Sequence, residues 1–210
     1  MRSLPVNVIL VPDSSTQQRA RKLGQILDKN YKNHYTIADA KFIPHATVYQ
    51  AQYPAKNLGK IKEKIGKLVA NFKPFKVSIG PYQNHHKIIW WNILENKNLT
   101  QLHYQVLNEL NPLREGLLLS HLTPTSYITG EKFTDEEAEV VRKYGAIVAG
   151  NLFQPHITLA KLKVDVEESR LIELLGKAES NFTVSEIWIG KMGDFGTVVK
   201  ILEKFPMKTS

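Results

Sequence analysis

One order of segments occurs twice in this chain, and few folds accommodate such a duplication. Pro44-His45-Ala46-Thr47-Val48 is followed by a helical periodicity, then Phe75-Lys76-Val77-Ser78, then a strand pattern ending Asn92-Ile93-Leu94. Pro155-His156-Ile157-Thr158-Leu159 is followed by a second helical pattern, then Phe182-Thr183-Val184-Ser185, then a strand pattern ending Lys200-Ile201-Leu202. The two histidines lie 111 residues apart and the two Phe-x-Val-Ser markers 107, so the copies stay nearly in register. Strand, helix, strand, strand in both copies implies two similar lobes, each supplying one His-x-Thr.

Length and composition agree with one shared core. At roughly 150 residues per domain, 210 residues exceed one small domain and fall short of two. With 42% hydrophobic residues the chain can bury a core without disulfides or metals as staples. The absence of cysteine excludes a disulfide scaffold, a thiolate zinc site and a cysteine nucleophile. Near the N-terminus, Val6 to Val11 is interrupted by Asn7 and followed by Pro12 and Asp13, which reads as a buried strand rather than a signal peptide. No apolar run is long enough for a membrane span, so a soluble, cytoplasmic protein, monomeric by default, is expected. The excess of 28 basic over 20 acidic residues favours a polyanionic partner such as nucleic acid.

The remaining periodicities fill in a coarse layout. Asp13 to Lys29 reads as a helix with Asp13 or Ser14 as its cap, and Phe42 to Tyr53 as strand-rich. Ile61, Ile65, Leu68 and Phe72 mark one amphipathic helix, and Leu99, Leu102, Val106, Leu110 and Leu113 another. Between them, strands over Phe75–Ile79 and Lys87–Leu94 flank a polar loop from Tyr82 to His86. A stretch from about 115 to 150 interrupts the repeat as an insertion, with a capping-box pattern at Thr134 and Glu137. Strand Pro155–Leu162, helix Glu167–Ala178 and strands near Phe182–Gly190 and Thr197–Lys204 complete the chain.

Within each strand His and Thr are two positions apart, so His45 and Thr47 share one face, as do His156 and Thr158. The opposite faces, Ala46 with Val48 and Ile157 with Leu159, are apolar and suit packing under helices. A polar front face is costly unless it lines a wet groove. Two such strands meeting at a pseudo-twofold would point two imidazoles and two hydroxyls into one cleft. That set suits phosphodiester chemistry. Imidazole titrates near neutrality, so one histidine can act as base while the other acts as acid. The threonine hydroxyls can donate to non-bridging oxygens, where charge builds in the transition state. No metal or other cofactor is called for.

These paired Pro-His-x-Thr-aliphatic motifs resemble those of the 2H phosphoesterase superfamily, which includes the bacterial 2′-5′ RNA ligase-like proteins and RNA 2′,3′-cyclic phosphodiesterases. The likeness spans most of the chain and is thinnest across the insertion. It implies an α+β fold, bilobal and pseudo-twofold, with two mainly antiparallel sheets around a central groove and helices packed outside. It also implies metal-independent cleavage of 2′,3′-cyclic or 2′-5′ phosphodiester bonds of RNA or nucleotides, with ligation as the reverse direction. Four positions carry over: His45 and His156 as the acid/base pair, Thr47 and Thr158 as phosphate ligands. The pseudo-symmetry hides which histidine is the base. The competing reading is an RNA- or nucleotide-binding module that keeps the groove without chemistry.

Other residues divide between function and bulk structure. Tyr49 continues the His45 and Thr47 face, where it can stack on a base or pack in the core. His121-Leu122-Thr123 repeats the tripeptide, but Pro124 follows directly and argues for a loop. His85 and His86 read as exposed loop residues, and His34 and His103 as surface or helix-face residues. Trp90 and Trp91 alternate across a strand, which puts one in the core and the other partly in solvent. Lys56, Lys60, Lys62, Lys64, Lys67, Lys73 and Lys76 read as the solvated face of the first-copy helix.

Overall fold

A computed structural model describes residues 2–208. The elements run β1 (Ser3–Leu10), α1 (Ser14–Asn30), β2 (Asn33–Thr36), β3 (Ala46–Pro54), α2 (Leu58–Val69), β4 (Phe75–His85) and β5 (Ile88–Ile93). They continue through α3 (Lys97–Leu110), α4 (Asp135–Tyr144), β6 (His156–Leu162), α5 (Glu168–Leu175), β7 (Ser180–Val184), β8 (Glu186–Met192) and β9 (Val198–Pro206). Local chemistry explains several boundaries. Asp13 caps α1 by accepting from the Thr16 N–H at 2.8 Å. The capping box at the start of α4 is present, with Thr134 Oγ1 accepting from Glu137 N–H and the Glu137 carboxylate accepting from Thr134 N–H. Pro112 turns the end of α3 into a short tight turn, and Gly176 stops α5 two residues before Ala178.

The strands form one curled antiparallel sheet in the order β7-β4-β5-β6-β3-β1-β8-β9. β2 pairs with β6 beside the point where β3 leaves it. The two expected sheets are therefore the halves β7-β4-β5-β6 and β3-β1-β8-β9, joined at a single residue pair, Ala46 with Ile157. Helices α1 and α5 back the β6 half, and α2 and α3 back the β3 half. Apolar residues on the backed face, including Val8, Val48, Trp91, Ile157, Leu159 and Ile189, meet Leu23, Leu27, Ile61, Ile65, Leu102, Val106 and Leu171 from the helices. Burial of this surface, at about 25 cal/mol per Å² of apolar area, fixes which face of each strand turns inward. Among the described residues no helix is long and apolar enough to cross a membrane.

The lobes and the sequence copies do not coincide. The hairpin β4–β5 belongs to the first copy yet pairs with β6, the motif strand of the second. The strands β8 and β9 belong to the second copy yet lie beside β1 and β3 of the first.

Several expected boundaries shift for physical reasons. The polar stretch Tyr82–His85 is strand, paired residue for residue with β5, and the turn is only His86-Lys87, with φ of 50° and 65°. Two consecutive left-handed residues match the twist of a tight hairpin. The closing segment breaks at Ser185 into β7 and β8, and the short strand β2 joins the sheet. The insertion adds no strand to the main sheet. It carries α4 and a small apolar cluster in which Leu119, Leu122 and Val141 pack against Met192 of β8.

Candidate active site

Antiparallel alternation about the Ala46–Ile157 pair places His45 beside Thr158 and Thr47 beside His156, all on the face away from the helices. Burial agrees: the four motif side chains are partly exposed, while Ala46, Val48, Ile157 and Leu159 are fully buried. The structure thus brings together the four residues expected from the repeat.

Both histidines are latched alike. His45 Nδ1 lies 2.7 Å from the Ile43 carbonyl, and His156 Nδ1 lies 2.7 Å from the Gln154 carbonyl. A carbonyl only accepts, so Nδ1 carries the proton and each Nε2 keeps its lone pair. Burial lowers both imidazoles from the usual value, against opposing hydrogen bonds to backbone. For His45 the Ile43 carbonyl is the hydrogen-bonded partner, and the nearby Gly196 backbone acts in the same direction. His156 has only Gln154 and feels the charges of His45 and His85, and it is pushed down to about 4. A bound anionic phosphate would raise both imidazoles.

Around the shared latch the two motifs are supported differently. On the β3 side, the Asn7 amide nitrogen donates to Thr47 Oγ1 at 2.9 Å and lies 3.5 Å from His45 Nε2. Asn7 is fully buried, and its Oδ1 has no partner among the described residues. On the β6 side, His156 stacks on Trp90 with ring centroids 3.8 Å apart and planes 11° apart. His85 covers the other face of Trp90 at 4.3 Å. Buried Tyr35 of β2, paired with Lys161, lies on that side near Thr158.

A bulge follows each motif threonine. Val8 pairs with Tyr49 and Ile9 with Thr47, so Val48 is an extra residue in β3. Ile89 pairs with Ala160 and Trp90 with Thr158, so Leu159 is the extra residue in β6. Each bulge resets the alternation by one. Tyr49 therefore follows Val48 into the core instead of continuing the Thr47 face. It is fully buried, and its hydroxyl donates to the Tyr144 carbonyl at 2.7 Å. The polar face resumes at Gln50 and, in the other strand, at Lys161, whose Nζ donates to the His86 carbonyl at 2.6 Å.

Other expectations are corrected in the same way. Trp90 is as buried as Trp91, because two imidazoles rather than solvent cover it. His85 is a strand residue in that stack, and exposed His86 pairs with Glu131 at 3.1 Å. His103 is fully buried, not a surface residue. Its Nδ1–H donates to the Val48 carbonyl at 2.6 Å, Nε2 accepts from Gly150 N–H at 2.9 Å, and Phe153 stacks on the ring at 3.8 Å. That histidine ties the first bulge to the approach of the second motif, and burial pushes it down to about 4. The third tripeptide is a loop: Thr123 Oγ1 is spent closing the turn to Ser126. Lys56, Lys62, Lys64 and Lys67 pair with Glu115, Glu203, Glu109 and Glu63 on the outer, helical side of the molecule.

The sequence pattern does not mark Asn7, Tyr35, Trp90 or Gln50 as site residues, although the break of the first apolar strand at Asn7 is a signal. A cleft of about 350 Å³ is lined in part by Gln83, Asn92 and the two residues that precede His156, Gln154 and Pro155. Among the described residues no group of three or more His, Cys, Asp or Glu is placed to hold a metal ion.

Comparisons with known proteins bear on the fold and the family. The Thermus thermophilus protein TT0787 superposes with a TM-score of 0.60 at 14% identity, covering 97% of this chain and 98% of that one. Escherichia coli LigT complexed with phosphate gives 0.57 at 11% identity over the whole of both chains. The same protein complexed with 3′-AMP gives 0.55 at 12% identity, covering 99% of this chain and 100% of that one. At these identities the likeness shows a shared fold. No curated protein sequence matches significantly. The sequence pattern of the 2′-5′ RNA ligase superfamily matches residues 12–196, from the residue before the α1 cap to the turn between β8 and β9, and the chain belongs to that superfamily.

Proposed function

We propose that the protein is a phosphodiesterase acting on 2′,3′-cyclic or 2′-5′ phosphodiester bonds of RNA or nucleotides, with His45 and His156 as the acid/base pair. The observation that carries this reading is the matched latch: both Nδ1 atoms are held by carbonyls, and both Nε2 atoms belong to one polar face across one residue pair. A phosphate seated between the strands would meet an imidazole on either side. One Nε2 takes the proton of an attacking water as its oxygen bonds to phosphorus. The other, entering as imidazolium, protonates the ribose oxygen as the P–O bond breaks, leaving a phosphomonoester. Thr47 receives a hydrogen bond from Asn7 and keeps its own O–H to donate to a non-bridging oxygen. Thr158, on the same face beside His45, is the matching donor from the other strand. With the 5′-hydroxyl of a second RNA in place of water, the same steps form a 2′-5′ linkage from a cyclic phosphate.

The test is product analysis on 2′,3′-cyclic nucleotides and a cyclic-phosphate RNA end, in EDTA. Turnover to one phosphomonoester isomer is expected, falling about 10²- to 10⁴-fold in His45→Ala and in His156→Ala while both variants stay folded. Wild-type rates in either variant would end the two-histidine mechanism. Nucleotide binding that survives loss of both histidines, without turnover by the wild type, would instead establish a binding module.

A further inference from the structure

With Tyr49 in the core, the groove needs another surface for a nucleobase. Trp90 cannot supply it, because imidazoles lie on both of its faces. Trp188 carries the Lys204 ammonium over its ring at 3.7 Å. Among the described residues, two of the exposed large hydrophobic side chains are aromatic, Tyr104 and Phe195. Tyr104 sits on α3, behind the sheet. Phe195 lies in the turn between β8 and β9, with 52% of its surface exposed.

That turn is built against the motif residues. Gly196 packs beside the Gln50 side chain of β3, its backbone lies close enough to His45 to favour the imidazolium, and the Phe195 ring lies over Tyr35 with centroids 5.7 Å apart and planes 19° apart. Tyr35 in turn lies near Thr158. Exposed His34 flanks Phe195 at 5.5 Å. Phe195 also holds φ of 56°, a left-handed conformation that glycine adopts at far lower cost. Tyr35 and His34 cover only about half of this ring, and the rest is held in solvent on a backbone that disfavours it. The Thr197 hydroxyl, donating to the Asp194 carbonyl at 2.7 Å, holds the turn in place.

We infer that Phe195, with His34 beside it, is a platform on which a nucleobase attached to the substrate phosphate stacks. This deepens the proposed function and rests on it. Aromatic rings accept any base, because every base presents a π-face, so the platform would favour nucleotides over base-free phosphates without selecting a sequence.

The experiment compares adenosine 2′,3′-cyclic phosphate with 1-O-methylribose 2,3-cyclic phosphate, which lacks the base. Wild type should favour the adenosine probe about tenfold or more in kcat/KM, within the range of one base stack. Phe195→Ala should collapse that ratio towards one, and Phe195→Trp should keep it. Phe195→Gly should collapse it while raising the melting temperature, a pairing that a purely structural role would not produce. An unchanged ratio in Phe195→Ala, or no preference in wild type, overturns the platform and leaves the phosphodiesterase reading intact. Turnover of neither probe by wild type defeats the functional reading instead. The platform is then decided by calorimetric binding of adenosine 3′-phosphate against ribose 3-phosphate. Loss of the base increment in Phe195→Ala upholds it, and an equal increment in both proteins overturns it.

Discussion

The two motif strands carry the same tripeptide, the same backbone latch and the same bulge, yet their surroundings share almost nothing. His45 sits among hydrogen-bonding groups, the Asn7 amide and the Ile43 carbonyl. His156 sits against a stack of rings, Trp90 and then His85. The repeated motif accounts for the common geometry, and the neighbouring strands, β1 beside His45 and the first copy's β4–β5 hairpin beside His156, account for the difference. A pseudo-symmetric site therefore need not be chemically symmetric. The residues that set each imidazole's proton affinity lie outside the repeated motif.

Removing the ring support should cost most. Trp90→Ala is expected to destabilise the fold by about 3–5 kcal/mol in urea unfolding, the usual cost of a buried Trp truncation. It should also hydrate His156, moving its proton affinity back up and shifting the acid limb of the kcat/KM profile to higher pH. In wild type that profile should peak below pH 7, since both imidazoles lie below their usual value. A profile unmoved by Trp90→Ala would show that the stack does not govern His156.

Stability should follow pH with a definite sign. Folded His103 and His156 resist protonation down to about 4, whereas unfolded imidazoles accept it near 6.5. The unfolded chain thus binds more protons between those values, and stability should fall as pH drops from about 6.5 towards 4. Thermal melts across that range would show it, with a shallower slope in His103→Gln. Equal slopes would mean that His103 does not titrate in this way.

Removing the hydrogen-bonding support should cost less. Asn7→Ala leaves Thr47 without its donor, for about 1–3 kcal/mol of stability and a lower kcat, measured by chemical denaturation and steady-state rates. Smallest is Tyr49→Phe, which loses one hydrogen bond to the Tyr144 carbonyl, worth about 1 kcal/mol. Its KM for cyclic nucleotides should match wild type, and a raised KM would return Tyr49 to the groove.

What could be read from sequence was what local periodicity encodes. The second motif strand, the α1 cap at Asp13 and the capping box at Thr134 lie where spacing puts them, whereas β3 starts at Ala46 rather than Phe42 and leaves His45 just before it. Misreadings arose where a distant partner decides. A one-residue bulge is set by strand pairing, so nothing near Tyr49 reveals that Val48 is the extra residue. His103 finds its partners at positions 48 and 150, remote in sequence. Tyr82–His85 looked like a loop because polar residues on a groove-facing strand mimic one. Phe195 gave no periodic signal, since its meaning lies in a turn folded over Tyr35.

The exchange of hairpins between copies bears on how this protein can be assembled and taken apart. Cutting the chain in the 115–150 segment would separate β3 from the β8–β9 hairpin of its own half, and β6 from its partner β5. Neither fragment would retain a complete half-sheet, so each alone should remain unfolded and expose strand edges. Mixed together, they should reconstitute the molecule only by interlocking, like two hands clasped. The active face would then appear with the same concentration dependence as a heterodimer.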